Sequence, residues 1–469
     1  VATSYQSFLS TKHIRHQATG FDLVSELPAK MWDWQCRVAE WCCRKGRAAI
    51  FADCGLGKTI MQLAWCDQVR QLTRKPVLLL TPIAVGPQTV REAETFGVSG
   101  VQLAKDDSNV TRPGIYVTNY HRLAKFDLSR FAGVCLDESS ILKSFTGATK
   151  RQLCEGFADT PYKLACTATA APNDHMELGN HSEFLGVMPS NEMLSRWFIN
   201  DTMKAGGYRL RGHARDDFWR WVSSWAVCIS LPSDVGGSDG GYRLPELVLH
   251  KHIIEDDTVP PGHLFKPAQA TVSATNVHEI KRQGLAAKAN LVAEIVNPST
   301  EAWSIWCDTD YEADALRRTV ENCVEVRGST REDLKVDFFE GFTSGRHSRL
   351  ITKPEIGGFG MNWQHCRNTC YFAGFSFEKW YQAIRRHYRF GQTQDVNVHL
   401  IATDAEVPVI ETLERKSRDH LAMQRAMSEA MREGLQEEIF GKELKPYRPV
   451  MAATLPAWLT RKEPRSVAM

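Results

Sequence analysis

The chain has 469 residues, 43% hydrophobic and 24% charged, ordinary values for a globular protein with room for two or three domains with real cores. A net charge of +2 excludes a uniformly basic nucleic-acid coat, so any polyanion must be met by local patches. No apolar run approaches the ~18 residues of a membrane span, and no signal pattern opens the sequence, so no membrane partner is expected. Thirteen cysteines lie scattered without a C-x-x-C pair, which points to reduced thiols and a cytosolic or nucleoid setting. His365, Cys366 and Cys370 come nearest to a metal pattern but lack a second ligand pair, so zinc is not expected.

From about Pro28, short apolar runs alternate with helical patterns. Expected strands are "RAAIFA", "PVLLLTP", "GIYVTNY", "GVCLDE" and "KLACTAT", separated by helical stretches such as "KTIMQLAWCDQVRQL" and "PQTVREAETF". A second series begins near Glu301 with "WSIWCDT", "CVEVRG", "RLITKP", "NTCYFAGF" and "VNVHLIAT", interleaved with "REDLKVDFFEGF" and "FEKWYQAIRRHYRF". Alternation of this kind predicts an α/β fold in which parallel sheets are covered on both faces. Between the two series, "DDFWRWVSSWAVCI" reads as a helix, followed by the Gly-rich loop "SDVGGSDGGYRLPE". Phe218, Trp221, Val222 and Trp225 fall at helical spacing, which favours a packed face over a base-stacking one. A long helical pattern follows Ala405. The expected divisions are an N-terminal extension (1–26), a first lobe (27–189), a helical insertion with the Gly-rich loop (190–280), a second lobe (281–404), and a C-terminal helical brace and tail (405–469).

"FADCGLGKTIMQ" carries the strongest local signal. Gly55, Gly57, Lys58 and Thr59 follow a strand pattern and open a helical one. Glycines let backbone N–H groups close around phosphate oxygens at a helix N-terminus. Lys58 would reach the β- and γ-phosphates of ATP, and Thr59 would hold Mg2+ through its hydroxyl. Ala52 stands where the first glycine of the general pattern belongs, giving A-x-x-G-x-G-K-T, a form common in helicase-type ATPases. Further on, Asp137 and Glu138 end a strand. With a phosphate loop upstream, they read as a metal-holding carboxylate and a water-orienting base.

"QAIRRHYRFGQ" offers the positive charge that phosphoryl transfer requires. Gln382, Arg386 and Arg389 are spaced i, i+4, i+7, which places them on one face of a continuous helix and points Arg385 elsewhere. An arginine supplied by a second lobe would make hydrolysis depend on lobe closure.

In motif order, the chain resembles superfamily 2 nucleic-acid-dependent ATPases, and within them the compact bacterial and phage members of the Swi/Snf-like branch. The resemblance runs from about Gly20 to Ile401 and implies two tandem RecA-like lobes. "WDWQ" is similar to the adenine-sensing motif, carried by Gln35. "LLLTPIAVGPQTVREAETF", centred on Thr81 and Pro82, and "VTNYHRL", at Thr118 to Tyr120, resemble nucleic-acid-contacting motifs. "LDESSILKS" occupies the acidic box with Lys143 at a position where the branch usually has lysine. "CTATAAPND" resembles the coupling motif, through Thr167, Ala168 and Thr169. "VRGST" resembles the start of the second lobe's nucleic-acid surface, and "TKPEIGGFGMNW" its glycine-rich motif, with Gly357, Gly358, Gly360 and Asn362. "QAIRRHYRFGQ" is similar to the arginine-finger motif, with fingers at Arg386 and Arg389 and Gln382 at its head.

Two departures stand out. Ser139 and Ser140 replace the branch's usual Ala–His or Gly–His, so coupling there would use a hydroxyl or another contact. Arg385 stands where a glycine is usual. The resemblance implies a DNA-dependent ATPase using ATP and Mg2+, a motor tracking along double-stranded DNA. A strand-separating helicase is the neighbouring reading, and an ATP-gated clamp that delivers a nuclease or a replication or recombination enzyme is the reading from another class. A P-loop small-molecule kinase is disfavoured by the second lobe.

Overall fold

The computed structural model describes residues 16–83, 85–143, 147–171, 174–201, 207–255, 281–282, 284–357 and 362–438. Among them, two all-parallel sheets form the frame of two RecA-like lobes. The first contains β1 (Arg47–Ala52), β2 (Val77–Thr81), β3 (Val101–Leu103), β4 (Ile115–Asn119), β5 (Gly133–Asp137), β6 (Tyr162–Thr167) and β9 (Ala226–Ile229), in the order β3-β4-β2-β5-β6-β1-β9. The second contains β10 (Leu247–Ile254), β11 (Trp303–Trp306), β12 (Cys323–Val326), β13 (Arg349–Thr352), β14 (Asn368–Phe372) and β15 (Val396–Thr403), in the order β10-β15-β14-β11-β13-β12. A small antiparallel hairpin pairs β7 (Phe198–Asp201) with β8 (Gly207–Leu210).

The ten expected strands all form, because central parallel strands are buried on both faces and so read as unbroken apolar runs. Every residue of β2 and β5 is buried. The helix that follows the Gly55–Gly57 loop spans Lys58–Thr73 and buries Met61, Leu63, Trp65 and Val69. No helix among the described residues is long and apolar enough to cross a membrane.

Among the described residues of the expected helical insertion (190–280), the helices Ser190–Trp197 and Arg215–Ser223 form, and strands accompany them. The helix in "DDFWRWVSSWAVCI" ends at Ser223, and Ala226–Ile229 turns extended to pair with β1 as an edge of the first sheet. β10 then pairs with β15 as an edge of the second sheet. Its alternation of Leu, His, Lys and Ile, half-buried on one face and exposed on the other, hid it from a search for unbroken apolar runs. The Gly-rich loop therefore crosses from one sheet to the other. Phe218, Trp221, Val222 and Trp225 do form a packed face, each no more than 2% exposed. Trp221 stacks on Trp197 at 4.7 Å.

The C-terminal helix, Val407–Glu438, spans both lobes. Val409 and Ile410 lie in the second lobe's core, whereas Met423 and Met427 lie in that of the first. Residues 1–15 of the expected N-terminal extension and the tail beyond 438 lie outside the described residues.

Candidate active site

Strand register gathers the site. Phe51 of β1 lies opposite Thr167 of β6, and Cys166 lies opposite Asp137 of β5. The loops leaving these strands therefore start side by side at the carboxyl edge of the sheet, where open α/β sheets bind ligands. After β1, Gly55 and Gly57 adopt φ of +88° and +74°, which a Cβ would strain. Gln35 closes over the loop, with Nε2 donating to Leu56 O at 3.1 Å and Oε1 accepting from Trp32 N–H at 3.0 Å. Lys58 starts the helix and turns its ammonium onto the carbonyls of Ala52 (2.8 Å) and Asp53 (3.3 Å).

Asp137 ends β5, and its Oδ1 accepts from Gln62 Nε2 at 2.8 Å. Its backbone carbonyl accepts from Tyr120 Oη at 2.6 Å, so Tyr120 braces the acidic strand end from inside. Glu138 has a φ of +53°, a left-handed backbone that a non-glycine residue holds at a cost of about 1–3 kcal/mol and that is commonest at functional sites. Burial, then the neighbouring Asp137 charge, push its carboxyl up to about 7, against the pull of Lys58 and Arg386. Thr167 Oγ1 donates to Glu138 Oε2 at 3.3 Å, and Thr169 N–H donates to Thr167 Oγ1 at 3.1 Å. Thr59, half-buried at the start of the helix, and Asp137 supply hard oxygen donors of the kind Mg2+ prefers.

Ser139 lies 3.1 Å through Oγ from Nε2 of His181, a residue of the first lobe whose imidazole burial lowers to about 4. Its hydroxyl is thus spent within the lobe. Ser140 is 3% exposed. Contact across the cleft comes instead from the next turn, where Lys143 forms an ion pair with Glu378 of the second lobe.

The second lobe meets the site with one helix, Phe377–Ile384, capped by Ser376 Oγ accepting from Lys379 N–H at 3.3 Å. Gln382 Nε2 donates to Glu138 Oε2 at 3.3 Å. Arg386 leans back on the same residue, with Nε on Gln382 O and Nη2 on Gln382 Oε1, both at 3.0 Å. Burial and the Arg386 charge lower Arg389 to about 10.

Two expectations fail here. The helix stops at Ile384, where His387 N–H bonds to Ile384 O at 3.1 Å in a tightened turn, so Arg386 and Arg389 do not continue a helical face with Gln382. Nor does Arg385 point elsewhere. Glu378, Tyr381, Gln382 and Arg385 follow i, i+3, i+4, i+7, and all four meet the first lobe. Arg385 Nη2 and Tyr381 Oη both donate to the Asp53 carboxylate, which neither motif nor spacing had singled out. The Arg385 and Asp53 side chains are only 16% and 12% exposed. Removing one partner of so enclosed a pair typically costs about 3–5 kcal/mol, although the intact pair adds little net stability.

The residues expected to touch nucleic acid divide. Thr81, Thr118 and Tyr120 are buried, and the hydroxyls of Thr81, Thr118 and Thr169 have no hydrogen-bond partner among the described residues. A polymer on the surface cannot reach those hydroxyls in this arrangement. Pro82 is half-buried and Asn362 exposed. Gly358 and Gly360 lie outside the described residues, and Gly357 ends a short helical turn with no space for a side chain, a Cβ there lying 2.9 Å from Thr352 Cγ2.

No protein-family model and no curated protein matches the chain. Among solved structures it is similar to the Sulfolobus solfataricus SWI2/SNF2 ATPase core in complex with dsDNA, at 16% identity and a TM-score of 0.41, over 88% of this chain and 98% of that one. So slight a likeness carries no functional weight.

Proposed function

We propose that the chain is a DNA-dependent ATPase whose hydrolysis drives movement along double-stranded DNA. One observation carries the reading: Glu138, beside the phosphate loop of one lobe, meets Gln382 and, through it, Arg386 of the other. Lys58 would exchange its backbone carbonyls for the β- and γ-phosphates. Thr59 and Asp137 would hold Mg2+, which supplies positive charge against the phosphates. Glu138, once ionised, would accept the proton of the attacking water. Gln382 would keep that carboxylate aimed, and Arg386, with Arg389 behind it, would neutralise charge building on the γ-phosphoryl group as it passes from ADP to water. Because the acid–base group and the arginines belong to different lobes, each turnover would require closure, and cycles of closure are what a stepping motor needs. Grip on DNA would come through phosphates and be indifferent to sequence.

The test is phosphate release measured with duplex DNA, single-stranded DNA and RNA. Duplex DNA should stimulate the rate most, and Lys58→Ala or Glu138→Gln should abolish it, the latter by roughly 10²-fold or more as expected for loss of a general base. An unstimulated rate indifferent to both changes removes the reading. Triplex displacement without duplex unwinding marks a translocase. Tight ATP-dependent binding without displacement marks a clamp that hands DNA to a partner such as a nuclease.

A further inference from the structure

We infer that Arg385 is a positioning residue that sets nucleotide affinity from the second lobe, by neutralising and holding Asp53 at the entrance of the phosphate loop. The inference rests on the reading of that loop as the nucleotide site.

Asp53 is the first residue after β1 and precedes Gly55 by two positions. Its backbone N–H is tied to Ile229 O of the edge strand at 2.9 Å. Its Oδ1 accepts from the N–H of Cys54 at 2.6 Å, so the carboxylate shapes the first turn of the loop. The same carboxylate takes Tyr381 on Oδ1 and Arg385 on Oδ2. Lys58, which should serve phosphate, currently rests partly on Asp53 O. A carboxylate in this position is a hazard for a site meant to bind a polyanion. Uncompensated, it repels the phosphates and competes for the loop's N–H groups.

Arg385 removes that hazard, and its surroundings fix it for the task. Its guanidinium lies 5.1 Å from the Tyr381 ring centroid and 5.4 Å from that of Tyr388. Nη1 donates to Tyr388 O at 3.2 Å, and Tyr388 Oη donates to Pro245 O at 2.9 Å. His420 of the C-terminal helix packs at 5.2 Å on both Phe377 and Tyr381. Three parts of the chain therefore hold one cation against one carboxylate. Opening the lobes withdraws Arg385 and leaves Asp53 charged beside the loop, so nucleotide affinity falls as the cleft opens. The phosphate loop senses the second lobe before any γ-phosphate is contacted by Arg386.

The test is equilibrium binding of a fluorescent ATP analogue to the full chain without DNA, with kcat and KM for ATP measured alongside. Arg385→Met should weaken binding on the order of tenfold, as one uncompensated charge at roughly 10 Å would in a medium of effective dielectric about 20. KM should rise with kcat at saturation changed much less. Asp53→Asn combined with Arg385→Met should recover most of the lost affinity, because the repelling charge has gone. Arg385→Lys, which keeps the charge, should bind within a few-fold of the unaltered protein and serves where Arg385→Met fails to fold. Binding unchanged in Arg385→Met, a loss that Asp53→Asn does not recover, or a loss in Arg385→Lys as large as in Arg385→Met overturns the inference alone. Failure of the unaltered chain to bind the analogue, or binding indifferent to Lys58→Ala, overturns the nucleotide reading itself.

Discussion

The two lobes share one architecture and divide the candidate site between them. The first builds its share from three neighbouring strand ends: the Gly55–Thr59 loop after β1, Asp137 at the end of β5 with Glu138 just beyond it, and Thr167 at the end of β6. The second builds its share from one helix and the turn behind it, with Gln382, Arg385, Arg386 and Arg389. Asp53, Asp137 and Glu138 stand on one side of the cleft and the guanidinium groups of Arg385 and Arg386 on the other, with the Lys143–Glu378 pair reversed in sign. The first lobe's share rests on three adjacent parallel strands, and only its Asp53 carboxylate is held from across the cleft, by Tyr381 and Arg385. A half built on a single docked helix is present only while the lobes touch. On the proposed function, the asymmetry would put most of the binding groups in the first lobe and make turnover depend on the contact between the two.

The most severe way to break that division is Arg386→Ala. It should lower kcat by about 10³-fold or more, the usual scale for an arginine supplied in phosphoryl transfer, while nucleotide binding stays within a few-fold. Equal loss of both in phosphate-release and binding assays would place Arg386 in the binding half instead. A milder break is Lys143→Ala, which removes the ion pair with Glu378. Lys143 is 44% exposed, so solvent screens the pair, and a two- to fivefold fall in the DNA-stimulated rate is expected. Added salt should depress the unaltered enzyme's rate more than the variant's, as a screened cross-cleft pair requires.

The smallest effect on turnover and the clearest on stability should come from His420→Phe. Burial lowers His420 to about 4, with Asp53 pulling up and Arg385 pushing down, and neither ring nitrogen has a hydrogen-bond partner among the described residues. The unfolded chain, with an ordinary imidazole near 6.5, binds a proton more readily than the folded one. Stability is therefore fully present above about pH 6.5 and lost as pH falls toward 4, by up to about 1.4 kcal/mol per pH unit for each such histidine. His181, lowered to about 4 in the same way, adds to the slope. His420→Phe should raise the melting temperature and flatten its decline between pH 7 and 5. An unchanged slope would mean that His420 is accessible to protons in the folded chain.

What could be read from the sequence was chemistry that needs adjacent residues. Gly55 to Thr59 and the pair Asp137–Glu138 were legible as a loop opening a helix and a strand end, because each is a run of adjacent residues. The buried strands were equally legible, being continuous apolar runs. What escaped depends on where elements stop or meet. Arg385 was turned the wrong way because nothing in "QAIRRHYRF" shows that the helix ends at Ile384. Asp53 and Arg385 are 332 residues apart, and Lys143 and Glu378 are 235 apart, so no spacing rule connects them. The left-handed backbone of Glu138 and the seat of Ser139 on His181 are products of tertiary packing that no residue type announces. β9 was hidden because its apolar residues continue the aromatic pattern of the helix before it.

The C-terminal helix sets the kind of motion this cleft can make. Its 32 residues form a rod about 48 Å long, seated near its start in the second lobe through Val409 and Ile410 and about midway along in the first through Met423 and Met427. Arg432 adds an ion pair to Asp234 at 3.2 Å near the far end. A rod fixed in both bodies forbids their drifting apart along its axis. It leaves rotation about itself, or a bend between the two seats near His420. The lobes are therefore coupled like two leaves on one pin, and any opening of the cleft is a swing about that pin rather than a parting along it.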